Sequence, residues 1–281
     1  MTLRNLSVDE RDRILGELGL SEVPSRDLMG LESLYCAWLD RVPFCSSLKR
    51  IHYGNEPTRS GPLPVMDPRE FFSNFLQHGT GGTCFPTAEA FYALCRSCDF
   101  PVRRSIGSMV DFPEIPGPNH GTVVADFEGS TYLVDPFWGS RKALSLNDVP
   151  QSVGPEHLAL STAKGGEEET LDVLWRFHTA RNEMRFAFSP NHSFHTDSVG
   201  FSLFRERYEA SSGPNSVFNA CLYISRHVKN DVHTIFRGTY YVLRDDNTIE
   251  SESVEDRNSL LTGVFGLSEQ LALQIPPDIN A

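Results

Sequence analysis

The stretch Gly79-Thr-Gly-Gly-Thr-Cys84-Phe-Pro-Thr-Ala-Glu-Ala-Phe-Tyr-Ala-Leu-Cys95 constrains this chain more than any other. Gly79, Gly81 and Gly82 permit a close backbone approach, or a strained turn, that side chains would block. Directly after them, Ala88, Phe91, Tyr92 and Cys95 recur at the i, i+3, i+4, i+7 spacing of one apolar helix face. Pro86 suits the first turn of that helix, where its missing N–H costs nothing. The helix is therefore expected to begin just after Cys84. Unpaired N–H groups and the positive end of the helix dipole then point near the sulfur and favour thiolate over thiol. A lone cysteine is more often a small buried hydrophobe than a nucleophile. The glycines and the helix start make Cys84 the candidate nucleophile nonetheless.

A nucleophilic cysteine needs a base, and the base needs a group to orient it. Residues 119–127 and 131–138 are β-branched and aromatic runs around Glu128-Gly129-Ser130, the pattern of a β-hairpin. With Glu128 and Gly129 at the centre of the turn, His120 lies opposite Phe137, and Asp135 is its diagonal neighbour on the same face. A three-residue turn would put the two on opposite faces, because register and face are locked together in a strand. His120 and Asp135 are accordingly the candidate base and orienter.

Elsewhere the pattern divides the chain. Ser7-Val-Asp-Glu10 matches a capping box, with Gly19 as the stop of a first helix. Ser25 is read as the cap of a second, with Leu28, Leu31, Tyr35 and Trp38-Leu39 as its buried stripe, and Asp67-Pro68 opens a third that ends at Gly79. Residues 1–98 thus read as a helical bundle. From Pro101 the pattern turns to strands at 102–110, 171–177, 185–188, 217–225 and 232–243, besides the hairpin, with a closing helix over 253–265. The tail from Ile275 reads as a strap or a frayed end. The expected divisions are 1–98, 99–190 and 191–281.

At 281 residues and 31.5 kDa the chain can bury a sizeable core. Its net charge of -12 repels phosphate polymers, so nucleic acid is not an expected partner. Coenzyme A is also an anion and needs a local basic patch, for which Arg103-Arg104 and Arg141-Lys142 are the candidates. No apolar run reaches signal-peptide or membrane-span length, which makes a cytoplasmic protein without a membrane partner the expectation. Six cysteines are too sparse for a disulfide scaffold. Cys95 and Cys98 form a CxxC and His192 and His195 lie three apart, but neither set has the further ligands a metal site needs, so no metal is expected.

These residues resemble the arylamine N-acetyltransferase family. The shared features are Gly-Gly-x-Cys-Phe before a helix, a histidine opening a strand, and Tyr132-Leu-Val-Asp135 with its aspartate fifteen residues beyond His120. Val42-Pro-Phe44, Ile51-His-Tyr-Gly54, Ser193-Phe194-His-Thr196, Phe236-Arg-Gly-Thr239 and Val264-Phe-Gly-Leu267 extend the likeness over nearly the whole chain. The resemblance implies an α+β protein with an N-terminal helical bundle, a central β-barrel-like antiparallel sheet domain, a C-terminal α/β lid and a cysteine-protease-like Cys-His-Asp core. It also implies acyl transfer, chiefly acetyl, from an acyl-CoA to a small-molecule amine through an acyl thioester on Cys84, with His120 and Asp135 in support. Phe44, Phe85 and Phe194 are the expected lining of an acceptor pocket, and Arg103 and Arg104 the expected hold on coenzyme A. The family's Arg-Gly-Gly is Thr80-Gly81-Gly82 here, Pro86-Thr87-Ala88 follows the cysteine, and Cys45-Ser46 replaces Glu-Asn after Pro-Phe. These departures leave room for an amide synthase fed by an acyl carrier protein, a transglutaminase-like enzyme on peptides, a thioesterase or amidase, or a binding protein that kept the fold.

Overall fold

The computed structural model describes residues 5–58, 61, 63, 64, 66–109, 117–137, 139–146, 199–213, 216–246 and 248–279, with four strands between 151 and 188. Five helices come first: α1 (Val8–Glu17), α2 (Leu28–Arg41), α3 (Ser47–Tyr53), α4 (Pro68–His78) and α5 (Cys84–Ser97). Ser7 and Glu10 close the expected capping box on α1. On α2 the cap is Asp27 rather than Ser25. The Asp27 carboxylate accepts from the Gly30 N–H at 2.8 Å, while Ser25 donates its hydroxyl to that same carboxylate. A carboxylate beside the open end of a helix is the stronger acceptor. Asp67 caps α4, Pro68 stands in its first turn, and Gly79 ends it in the left-handed region at φ +67.

The apolar stripes meet at Trp38, which is fully buried. Its ring stacks on Phe71 at 5.8 Å and meets Phe91 edge-on at 5.2 Å, tying α2, α4 and α5 together.

An eight-stranded antiparallel sheet packs on α5. Its order is β5-β4-β3-β2-β9-β8-β7-β6, where β2 is Val102–Met109, β3 His120–Phe127, β4 Ser130–Leu133 and β5 Leu144–Ser145. The remaining members are β6 (Gln151–Val153), β7 (Leu158–Thr162), β8 (Leu171–Arg176) and β9 (Glu183–Phe188). The expected barrel is not formed. β5 and β6 stand at opposite edges without pairing, so the sheet stays open. A second sheet of five strands has the order β1-β10-β11-β12-β13. Here β1 is Phe44–Cys45, β10 Tyr223–Val228, β11 Asp231–Phe236, β12 Thr239–Leu243 and β13 Ile249–Ser253. The segment 217–225, expected as one strand, opens with the short helix Val217–Ala220, and the helix expected over 253–265 is Arg257–Gly263, followed by a further short helix, Glu269–Ala272. The helix Phe201–Ser211 has no counterpart in the expectation.

One apolar cluster runs from Leu6 through α5 and β3 to Tyr223, so residues on both sides of position 98 share a core. β1, from the helical part, pairs with β10. The tail is a strap. Arg50 is fully buried and donates to the Asn219, Gly54 and Pro277 carbonyls at 2.6, 2.8 and 2.7 Å, while Asp278 accepts from the Leu222 N–H at 2.8 Å. No helix among the described residues is long and apolar enough to cross a membrane.

The glycine turn before α5 is packed against β1. The Gly82 carbonyl accepts from the Cys45 N–H at 2.9 Å, and a Cβ on Gly81 would sit 1.8 Å from the Pro43 carbonyl oxygen. No rotamer relieves a clash with backbone, so Gly81→Ala must push β1 off the turn. The variant is expected to lose about 2–3 kcal/mol of stability, read as a lower urea midpoint at unchanged m. A midpoint equal to that of the parent protein would show that the contact is not needed.

Candidate active site

Cys84 is the first residue of α5, one position earlier than the sequence suggests. Thr83 is the N-cap but gives no side-chain cap, so N–H groups of the first turn are left without one, fewer by the one that Pro86 lacks. β3 begins at His120, anchored where the Asn119 N–H reaches the Gly107 carbonyl at 3.0 Å and the Asn119 side chain accepts from the Met109 N–H at 2.7 Å. The turn of the β3–β4 hairpin has two residues. Glu128 and Gly129 take φ +51 and +80, and Phe127 pairs with Ser130. That register puts Asp135 on the face of His120.

The three side chains meet. The Asp135 carboxylate lies 2.7 Å from His120 Nε2, with both side chains 1 % exposed. The other carboxylate oxygen of Asp135 accepts from the Phe137 N–H at 2.8 Å, and Tyr35 donates its hydroxyl to the Asp135 backbone carbonyl, so side chain and backbone of Asp135 are both held. With Nε2 committed, Nδ1 is the ring nitrogen left for the sulfur. Cys84 Sγ lies 3.9 Å from the carbonyl oxygen of Asn119, the residue before His120, and His120 is the first group to offset burial at the thiol.

The electrostatics follow from this packing. Burial alone would raise the Cys84 thiol. The hydrogen bond and charge of His120, the Gly121 N–H and the Lys49 ammonium outweigh it and bring the thiol below its ordinary value. Burial likewise opposes a charged imidazole, yet the charge and hydrogen bond of Asp135, with a further contribution from Cys84, raise His120 to about 10. Both shifts favour the thiolate–imidazolium form of the pair. The Gly121 position must be a glycine, since a Cβ there would come within 2.6 Å of the Phe85 ring and 2.7 Å of the Phe204 ring.

The other expected residues have different fates. Phe44 lies in an aromatic row, its ring 4.2 Å from Phe137, which is 5.9 Å from His120. Phe85 is fully buried against Phe204 at 5.0 Å, which makes it a packing residue under β3. Arg103 and Arg104 are committed elsewhere. The first forks onto Asp126 at 2.7 and 2.8 Å, and the second onto the buried Glu89 at 2.5 and 2.8 Å while covering the Tyr92 ring at 4.0 Å. Guanidinium forks already filled by carboxylates do not offer themselves to a phosphate, which argues against Arg103 and Arg104 as the expected hold on coenzyme A. Phe194, His192 and His195 lie outside the described residues. Cys95 and Cys98 are free thiols, and no group of three or more His, Cys, Asp or Glu side chains able to hold a metal occurs among the described residues.

Two buried residues that feel the charge of Cys84 had no signal in the sequence. Lys49 is 4 % exposed on α3, and Tyr208 lies on the unexpected helix Phe201–Ser211. Burial, and next the nearby Cys84 charge, raise the Tyr208 phenol.

The model of the N-acetyltransferase family matches residues 27–273. The chain belongs to the arylamine N-acetyltransferase family. None of the curated proteins matches it. Solved structures do. Arylamine N-acetyltransferase from Salmonella typhimurium is 18% identical with a TM-score of 0.72, over 94% of this chain and 97% of that one. The enzyme from Nocardia farcinica is 16% identical with a TM-score of 0.74, over 94% and 93%. The Mycobacterium marinum enzyme, solved in complex with CoA, is 17% identical with a TM-score of 0.72, over 93% and 97%. At these identities the likeness establishes the fold this N-acetyltransferase shares with them.

Proposed function

We propose that this N-acetyltransferase moves an acetyl group from acetyl-CoA to a small-molecule arylamine through a thioester on Cys84. The observation that carries this reading is the buried row of sulfur, imidazole and carboxylate, with 2.7 Å between His120 Nε2 and Asp135. The CoA complex of the Mycobacterium marinum relative supports the donor.

In the first half-reaction the Cys84 thiolate attacks the thioester carbonyl carbon. A new C–S bond forms, the bond to the CoA sulfur breaks, and the imidazolium of His120 gives its proton to the departing thiolate. Exchange of one thioester for another is nearly neutral in energy, so the protein contributes position and an ionised sulfur. In the second half-reaction neutral His120 accepts a proton from the attacking amine while the amide forms and the Cys84 sulfur leaves. Asp135 holds the ring with Nδ1 toward the sulfur throughout and balances the imidazolium charge. Backbone N–H groups at the start of α5 are the available oxyanion donors.

The test is intact-mass measurement after mixing with acetyl-CoA. The expected result is one acetyl adduct of about 42 Da, mapped to the peptide that carries Cys84 and discharged by an arylamine much faster than by water. Absence of an adduct would reject transfer through Cys84, and discharge as fast in water alone would make the protein a thioesterase.

A further inference from the structure

Lys49 is a buried cation without an acidic partner. It is 4 % exposed, and among the described residues no carboxylate, carbonyl or hydroxyl pairs with its ammonium. Two ring faces flank it instead, Tyr208 at 5.5 Å and Phe218 at 5.8 Å from the ring centroids. Both belong to the wall of the reacting centre. Tyr208 packs on Phe85, the residue after the nucleophile, at 6.1 Å. Phe218 packs on Phe44 at 5.8 Å, and Phe44 leads through Phe137 to His120. The ammonium therefore joins two rows of aromatic side chains, one ending at the residue after Cys84 and the other at His120.

Such a charge is expensive to bury unless something balances it. Burial depresses the Lys49 pKa to about 8, and the charge of Cys84 is what opposes that depression. Cation–π contact offsets only part of the desolvation. The thiolate serves as balance in the resting protein, but acylation of Cys84 removes it and leaves the ammonium facing aromatic carbon alone.

We propose that Lys49 is the counter-charge for a carboxylate on the small molecule that reacts at Cys84, carried either by the acyl group or by the accepting amine. This deepens the transfer reading given above and rests on it. A single monovalent donor group between two apolar faces matches one carboxylate. A phosphate dianion calls for several converging donors. The flat rings of Phe44 and Phe218 suit the apolar body to which that carboxylate is attached.

The test uses alkylation of Cys84 by uncharged iodoacetamide, followed on the Cys84 peptide by mass, with benzoate or its neutral analogue benzamide as protectant. Benzoate is expected to protect at concentrations about tenfold lower or more than benzamide. In Lys49→Met that ratio collapses toward one, and in Lys49→Arg, which keeps the charge, much of it is retained. Equal protection by the two compounds in the parent protein overturns the proposal without any variant, and a ratio that survives in Lys49→Met overturns it as well. Two further arms identify the source. Faster loading by succinyl-CoA than by acetyl-CoA places the carboxylate on the acyl group, and faster discharge by 4-aminobenzoate than by aniline places it on the acceptor. If no CoA thioester loads Cys84, the transfer reading fails while the comparison of benzoate with benzamide still decides the role of Lys49.

Discussion

Asp135→Asn is expected to slow acetyl loading of Cys84 by about four orders of magnitude while the protein remains folded. The carboxylate does two things here that an amide cannot. It supplies the negative charge that raises the His120 pKa to about 10 against the penalty of burial, and by engaging Nε2 it leaves Nδ1 as the ring nitrogen available to the sulfur. With that charge gone, burial governs the imidazole and favours its neutral form. A neutral imidazole no longer draws the Cys84 thiol below its ordinary value. The same substitution therefore has a signature independent of turnover. In the parent protein the thiolate survives on the acid side of a free thiol's titration, so alkylation by iodoacetamide stays fast there. In Asp135→Asn the midpoint of that profile shifts to higher pH. Unchanged loading and an unchanged alkylation profile would together remove Asp135 from the mechanism.

The second large effect concerns stability. Glu89 is 1 % exposed, and Arg104 is its ion-pair partner, with 14 % of its own side chain exposed, so solvent screens the pair little. Arg104→Met leaves the carboxylate buried without its partner, which costs about 3–5 kcal/mol. The pH dependence has a definite sign. Burial raises the Glu89 pKa in the folded protein, and Arg104 opposes that rise. Removing Arg104 raises it further. A raised carboxyl pKa is a group whose contribution is intact below the unfolded value of 4.5 and is lost as pH climbs through the folded value. The defect of Arg104→Met should thus be small near pH 4.5 and full at pH 7–8, measured by urea unfolding at each pH. Replacing both partners, Glu89→Leu with Arg104→Met, should recover most of the loss, since an apolar pair of similar volume often serves as well as a buried ion pair. The experiment also separates a structural role from coenzyme A binding. A pillar lowers stability and leaves the KM for acetyl-CoA unchanged in the folded fraction, whereas an anion clamp would raise that KM without unfolding anything.

The parts of this molecule that could be read from sequence are those set by local rules. The helix after the glycine turn follows from apolar spacing and from Pro86, and the alignment of His120 with Asp135 follows from the two-residue turn at Glu128-Gly129. The open sheet could not be read in this way, because the absence of pairing between β5 and β6 depends on where distant strands lie. Arg103 and Arg104 illustrate the same limit from the other side. Two adjacent arginines look like a basic patch, yet alternation along β2 sends them to opposite faces, one to Asp126 and one to Glu89. Lys49 had no pattern at all to announce it. A lysine in a short helix reads as solvated, and only the convergence of Phe218, Tyr208 and Cys84, from three separate parts of the chain, takes its ammonium out of water.

The hairpin between base and carboxylate works as a ruler whose length cannot be edited one unit at a time. Deleting or adding a single codon near Glu128 would turn the Asp135 side chain to the far side of β3, away from the imidazole 2.7 Å from it now. Descendants of this gene can therefore vary that loop within residues that accept positive φ, or alter it by pairs, but a lone insertion there is expected to abolish transfer even if the protein folds.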